Sequence, residues 1–242
     1  MNYSDMARKL KDILGLENPP IAVKFIWQGQ QLPEGFEIPK RKMRFCQAFM
    51  EAMRGKNIAL SPLEMACGPG PASFGAPIKE KVIRGEAHFA LGLFEKPEAA
   101  ARCLGSNIKM MPGSVAYILV YQLENAKLDP DLVLIRLLPE QAMWICHAWS
   151  YKDGKHLKIE LQTEASVCSG LTVASFLRNE IQIGLGCFGS RSATDIKREE
   201  MYVAIPGSIL SEIVEVIEKL SKPIMDSRSK RIFHETYSQS IT

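Results

Sequence analysis

Two stretches of the chain share one order of residues: CQAFMEAMRGKNIALSPLEMACGPGPASFG (residues 46–75) and CHAWSYKDGKHLKIELQTEASVCSGLTVASF (residues 146–176). Both begin Cys-x-Ala-aromatic, pass a Gly-Lys pair, and continue through alternating apolar residues to a second cysteine and an Ala-Ser-Phe. A repeat of about 100 residues is too long for the unit of a solenoid. We therefore predict an internal duplication, in which two similar lobes, residues 1–125 and 126–242, pack about a pseudo-twofold axis as one compact unit.

Secondary-structure patterns around the two stretches alternate between helix and strand, which favours an α/β or α+β class. The periodicity predicts helices over 4–14, 44–54, 77–84, 96–104, 139–149, 166–178, 208–221 and 223–237, and strands over 21–27, 57–60, 88–93, 115–121, 132–138, 157–161, 181–185 and 201–205. Residues 125–131 are predicted to connect the lobes. The polar tail after Phe233 is expected to fray.

Composition and charge exclude several classes of function. Of the 242 residues, 46% are hydrophobic and 24% are charged, as in ordinary soluble globular proteins. A net charge of +3 is too small to indicate a nucleic-acid or membrane partner. The N-terminal residues form no signal peptide, and no apolar run approaches the roughly 18–20 residues of a membrane span. We therefore expect a cytoplasmic protein with reduced thiols. The sequence gives no oligomeric state.

Four of the six cysteines lie near the predicted ends of elements or beside glycine and small residues: Cys46, Cys67, Cys168 and Cys187. No CxxC pair is present, so a metal site would have to be assembled from distant segments. Nearby glycines would let backbone N–H groups approach an anion or a cluster sulfide; these are Gly68, Gly70, Gly186 and Gly189. Arg191 could pair with a carboxylate or phosphate. Buried core thiols remain the alternative for all four, and Cys103 and Cys146 are predicted to be core residues.

Three functions remain open at this point. Four thiolates between the lobes would suit a [4Fe–4S] cluster, with zinc as the alternative metal. Without any cofactor, Cys187 could act as the nucleophile of a thiol-based redox enzyme or sensor, with Cys67 or Cys168 as the resolving thiol. The interface between the lobes could instead bind a small anionic molecule without chemistry. No nucleotide-binding, hydrolase or kinase motif decides among them, and the four histidines show no paired spacing.

A series of short motifs resembles a known family. The motifs are Ile21-Ala-Val-Lys-Phe, Phe45-Cys-Gln-Ala, Cys67-Gly-x-Gly, Pro139-Glu-Gln-Ala-Met, Ser166-x-Cys168, Gly186-Cys-x-Gly-x-Arg191 and Glu200-Met-x-Val-Ala-Ile-Pro206. In this order, over residues 5–220, the chain is similar to the domain of unknown function 169 family of bacterial and archaeal proteins. The resemblance implies cysteines at the four positions selected above but not at Cys103 or Cys146. It implies no activity, and the family commonly has Asp at the position of Ser190.

Overall fold

A six-stranded sheet with helices on both faces organises the chain in a computed structural model, which describes residues 1–221, 225 and 235–236. The strands are β1 (Ile21–Trp27), β2 (Ile58–Leu60), β3 (Val115–Gln122), β4 (Leu132–Leu137), β5 (Gln182–Gly184) and β6 (Met201–Pro206). The helices are α1 (Tyr3–Leu14), α2 (Phe45–Met53), α3 (Gly70–Ser73), α4 (Glu80–Ile83), α5 (Glu86–Ala90), α6 (Pro97–Gly105), α7 (Pro139–Ser150), a π-helix (Ser166–Val173), α8 (Ala174–Arg178), α9 (Phe188–Ala193) and α10 (Leu210–Leu220). This confirms the predicted α/β class.

Strand order in the sheet is β2-β3-β1-β4-β6-β5, and every neighbouring pair is antiparallel. β1 pairs with β3 along its whole length, with a bulge between Ile26 and Trp27. Its pairing with β4 is much shorter, because only Ile21, Ala22 and Val23 have partners there. The first three strands and the last three therefore meet at a short central seam.

Both faces of the sheet are covered, so its inner strands are nearly continuous apolar runs. Alternate side chains of β1, β3, β4 and β6 point to two separate cores. Helices α1, α7 and α10 pack against one face, and α2 and the π-helix pack against the other. No described helix combines the length and the apolar character needed to cross a membrane.

Most predicted elements are present, with shifted ends. α1 begins after Asn2, whose side chain accepts a hydrogen bond from the Asp5 N–H, and it ends at Gly15 in a left-handed conformation (φ 64°). The predicted helix over 166–178 is divided, since its first eight residues form the π-helix and the rest form α8. The predicted helix over 223–237 and the tail after Phe233 lie almost entirely outside the described residues.

Two predicted strands are wrong. Residues 88–90 lie in α5, which follows Gly85 (φ 76°) and packs against α6, and residues 91–93 form a turn. Residues 157–161 alternate like a strand, but they pair with neither edge strand, β2 nor β5. An alternating apolar pattern does not by itself produce a strand, because a strand also needs backbone hydrogen bonds from a neighbouring strand.

The structure does not show the predicted duplication. Strand order is symmetric about the seam, but the helices that carry the repeated Cys-x-Ala motif, α2 and α7, pack on opposite faces of the sheet. After the first Gly-Lys pair the chain enters β2, whereas after the second it is irregular. Strands from both predicted lobes share one sheet, and the lobe boundary at residue 125 stays a prediction.

Asp131 reinforces the seam between β1 and β4. Its carboxylate accepts a hydrogen bond from the Phe25 N–H at 2.7 Å and forms an ion pair with Lys24 at 2.8 Å. Its backbone N–H donates to Val23 and its carbonyl accepts from Gly207. One residue therefore connects β1, β4 and the end of β6.

We predict that Asp131→Ala lowers the free energy of unfolding by about 2 kcal/mol, because the Phe25 N–H loses a charged acceptor. Asp131→Asn keeps an acceptor oxygen and loses only a part-exposed ion pair, so it should cost less than about 1 kcal/mol. Urea denaturation of both variants measures the difference. Equal costs for the two would mean that the acceptor oxygen contributes nothing to the seam.

Candidate functional site: four converging thiols

Four separate segments bring Cys46, Cys67, Cys168 and Cys187 together. Cys46 lies in the first turn of α2, Cys67 in the loop before α3, Cys168 in the π-helix, and Cys187 immediately before α9. Each of the four interacts electrostatically with the other three. The residues selected from the sequence therefore form one cluster of thiols, although their role as ligands stays a prediction.

The π-helix fixes Cys168 deep in this cluster. It begins after Ala165, a non-glycine residue in a left-handed conformation (φ 52°). The Ser169 hydroxyl donates to the Ile108 carbonyl and the Thr172 hydroxyl donates to the Val167 carbonyl, each at 2.7 Å. All eight residues of the element are buried. Wide π-turns are rare and occur often at functional sites, and no sequence pattern used above distinguishes them from an α-helix.

Backbone N–H groups point at two of the sulfurs. The N–H groups of Gly68 and Gly70 donate to the Cys67 sulfur, and that of Ser190 donates to the Cys187 sulfur at 3.4 Å. A Cβ atom at position 70 would lie 3.1 Å from the Cys67 sulfur and 3.4 Å from the Cys168 sulfur. Those two sulfurs are therefore no farther apart than the sum of these distances.

Burial keeps at least three of the thiols protonated in the metal-free protein. Burial, followed by the charge of Cys187, raises the pKa of Cys46 to about 11. Burial likewise raises the pKa of Cys67, and it raises that of Cys168 to well above the ordinary range. Ordinary electrophiles react with thiolates, so these three are poor nucleophiles at neutral pH. A bound cation would displace their protons.

Arg44 is the cation of the site, and the sequence did not indicate it. It is half-buried, immediately precedes α2, and its charge opposes the rise in pKa of Cys46, Cys67 and Cys168. Its guanidinium lies so close to Gly189 that any side chain at position 189 would collide with it. Within the described residues it forms no ion pair. The sequence signal that could have identified Arg44 is its position two residues before Cys46, a cysteine at the start of a predicted helix.

Arg191, predicted to bind an anion, instead donates to three backbone carbonyls. They belong to Leu185 (2.7 Å), Lys197 (3.2 Å) and Glu200 (2.7 Å). Gly186, in a left-handed conformation (φ 80°), packs against the stem of this side chain. The guanidinium thus holds the loop that carries Cys187. Binding of an anion by Arg191 or Gly186 stays a prediction.

Ser190 connects the thiols to the core. It is buried, its hydroxyl forms a hydrogen bond with the Cys46 thiol, and it lies 3.4 Å from the Tyr202 hydroxyl. Together with the N–H contact to Cys187, this makes Ser190 a neighbour of two of the four sulfurs. It was noted in the sequence only as a departure from the resembling family.

A buried acid–base pair lies behind the Cys67 loop. His88 Nε2 is 3.4 Å from Glu164 Oε2, and both side chains are 8% exposed. Burial raises the pKa of Glu164 to about 6 and lowers that of His88, so both groups favour their neutral forms. A Cβ at Gly68 would be 3.7 Å from His88 Cε1. The histidine spacing gave no indication of this pair, because its partner is distant in sequence.

The remaining cysteines lie apart from the cluster. Cys103 on α6 and Cys146 on α7 are half-buried rather than buried, so the predicted core placement holds only in part. The Cys103 sulfur is 3.6 Å from the Thr163 hydroxyl. All six thiols are free. Among the described residues, no group of three or more His, Cys, Asp or Glu side chains is arranged to hold a metal ion.

Comparison with known proteins identifies relatives but no activity. The model of the DUF169 family, described as "Uncharacterised ArCR", matches residues 9–216. "Uncharacterized protein MJ0308" of Methanocaldococcus jannaschii is 29% identical over 216 residues, which cover 88% of this chain and 92% of that protein. No solved structure matches the chain significantly.

Gly70 tests how tightly the thiols are packed. We predict that Gly70→Ala destabilises the metal-free protein by about 1–3 kcal/mol, because the new methyl group contacts two sulfurs. Gly68→Ala is the matched control, since its Cβ meets its nearest atoms at 3.7 Å and both backbone N–H groups are kept. It should fall within about 0.5 kcal/mol of the parent. Equal denaturation midpoints for the two variants would show that the space at position 70 is not confined.

Glu164 gives a prediction for pH. Because its folded pKa, about 6, exceeds the ordinary 4.5, stability is undiminished below pH 4.5 and is lost as pH rises through 6. Glu164→Gln cannot ionise, so relative to the parent it should gain up to about 2 kcal/mol between pH 4.5 and 7.5. His88 is present in both proteins, and its own titration is therefore largely cancelled in the comparison. A stability difference that does not change with pH would contradict the burial of this carboxyl group.

Proposed function

The chain belongs to the uncharacterised DUF169 family, and we propose that it binds a [4Fe–4S] cluster through Cys46, Cys67, Cys168 and Cys187. The observation that carries the proposal is the mutual interaction of all four thiols, which come from four distant segments. Four cysteine thiolates are the usual ligands of such a cluster. Four thiols that were buried independently of one another would not be expected to lie together.

A [4Fe–4S] cluster is our first choice of cofactor, and a single zinc ion is the alternative. Zn–S bonds near 2.3 Å require ligand sulfurs about 3.8 Å apart in a tetrahedron. The described residues contain no side-chain group arranged in that way for one ion. A cluster with several irons tolerates wider separations between its ligand sulfurs than a single zinc ion does.

The surroundings supply what a buried anionic group requires. The N–H groups of Gly68, Gly70 and Ser190 already donate to cysteine sulfurs, and hydrogen bonds to sulfur are among the factors that set a cluster's reduction potential. Arg44 supplies a positive charge that no described carboxylate neutralises. When bound, the cluster would supply one-electron transfer. The protein's own residues exclude water, hold the sulfurs and offset the charge.

A thiol-based redox function without a cofactor is less well supported. Its candidate nucleophile, Cys187, is half-buried, and its sulfur accepts a hydrogen bond from the Ser190 N–H. However, burial holds both predicted resolving thiols, Cys67 and Cys168, in the protonated form.

Anaerobic expression with iron and sulfide tests the proposal. We expect a brown protein that absorbs near 400 nm and contains about four irons and four sulfides per chain. Serine at each of the four positions in turn should reduce the absorbance several-fold. Cys103→Ser and Cys146→Ser are matched controls, and they should retain the parent spectrum.

Each other outcome has a definite meaning. A colourless protein free of metal by elemental analysis overturns the proposal. One tightly bound zinc per chain replaces the cluster with the alternative metal. Loss of colour in the two control variants as well would show that general stability, rather than ligation, determines the iron content.

A further inference from the structure

Two adjoining cavities open to solvent beside the thiol cluster. The first, of about 590 Å³, reaches Cys67 and Gly68. The second, of about 570 Å³, shares with it the side chains of Pro62, Leu63, Pro77 and Ile78. Because these four residues line both cavities, the two form one continuous groove that ends at Cys67. Each cavity alone has the volume of a typical small-molecule site.

The part of the groove near Cys67 is positively charged. Lys42, Lys79 and Lys81 line it. Lys42 is paired with Glu64 at 3.1 Å, but Lys79 and Lys81 have no ion-pair partner within the described residues. Two unneutralised ammonium groups at one end of a concave surface attract an anionic group.

The far part of the groove is mostly apolar, with Gln28 and Lys109 as its polar lining residues. Ala72, Met110 and Val115 line it together with the exposed Ile83. Leu63 is 64% exposed and Ile83 is 56% exposed. Large apolar side chains grouped at the mouth of a cavity indicate a surface that is covered in the working protein.

We propose that this groove binds an organic anion with an apolar chain or ring. The anionic group lies at Lys79 and Lys81, and the apolar part extends over Leu63 and Ile78 toward Met110. This inference rests on the proposed function, because it names the class of small molecule that would bind beside a cluster ligated by Cys67. The binding itself depends only on side chains that are present without a cluster. Inorganic anions need no apolar wall. The combination of two cationic side chains with an apolar cavity therefore favours an organic anion over an inorganic one.

Octanoate, octanamide and acetate are suitable probes, because octanamide shares the apolar chain of octanoate and acetate shares its carboxylate. Isothermal titration calorimetry on the purified protein should show octanoate binding at about 0.1–1 mM. Octanamide lacks the charge and acetate lacks the chain, so both should bind at least ten-fold more weakly. The measurement is made on protein of known iron content, with and without the cluster.

Lysine variants locate the site. Lys79→Ala/Lys81→Ala should weaken octanoate binding at least ten-fold. Lys127→Ala/Lys158→Ala removes the same charge from exposed positions outside the groove, and it should leave octanoate binding unchanged. Leu63→Ser should weaken octanoate several-fold and leave acetate unchanged.

The proposal is overturned if octanoate and octanamide bind equally, if the two double variants behave alike, or if octanoate does not bind at all. These failures are distinct from failure of the proposed function. A protein without a cluster that still binds octanoate at the two lysines contradicts only the cluster. A protein with a cluster that ignores octanoate contradicts only the groove.

Discussion

The short antiparallel seam between β1 and β4 is the constraint on which the rest of the structure depends. Only three residue pairs of the described sheet join its two halves there, and the Asp131 carboxylate adds a side-chain hydrogen bond to the backbone of β1. Cys46 and Cys67 follow β1 in the chain, whereas Cys168 and Cys187 follow β4. The two pairs of thiols therefore follow, in the chain, the two strands that this seam joins. A change of one residue in that register would turn every inward side chain of one half to the opposite face.

Charge is the second constraint on the thiol cluster. Four thiolates in a buried site repel one another, and their desolvation is costly. The metal-free protein avoids that cost by keeping at least three of its thiols protonated, as the raised pKa values of Cys46, Cys67 and Cys168 indicate. Binding of the proposed metal cofactor would exchange these protons for metal. Arg44 and the N–H donors would then partly offset the remaining negative charge.

Much of the sheet was predictable from the sequence, because β1, β3, β4 and β6 are long apolar runs whose burial on both faces leaves little ambiguity. The neighbouring glycines singled out the four cysteines that lie together, since close approach of the backbone to a sulfur favours residues without a side chain, and their role as ligands stays a prediction. The structure does not show the predicted duplication, and the reason is non-local. Similar residues in α2 and α7 give similar helices, but the face of the sheet that each helix covers is decided by strand pairing elsewhere. Arg191 and Arg44 illustrate the same limit, since either arginine could serve an anion and only the fold determines which one is committed to backbone carbonyls.

The Cys67 loop connects the separate parts of the site. On one side Gly68 lies against the buried pair of His88 and Glu164, and on the other Cys67 lines the cationic end of the groove. Two prolines and two N–H···S bonds hold this loop, so Cys67 has little freedom to move away from a ligand in the groove. An organic anion bound there would place negative charge near one ligand of the proposed cluster. It would therefore stabilise the oxidised cluster relative to the reduced one, and by linkage the oxidised protein would bind the anion more tightly.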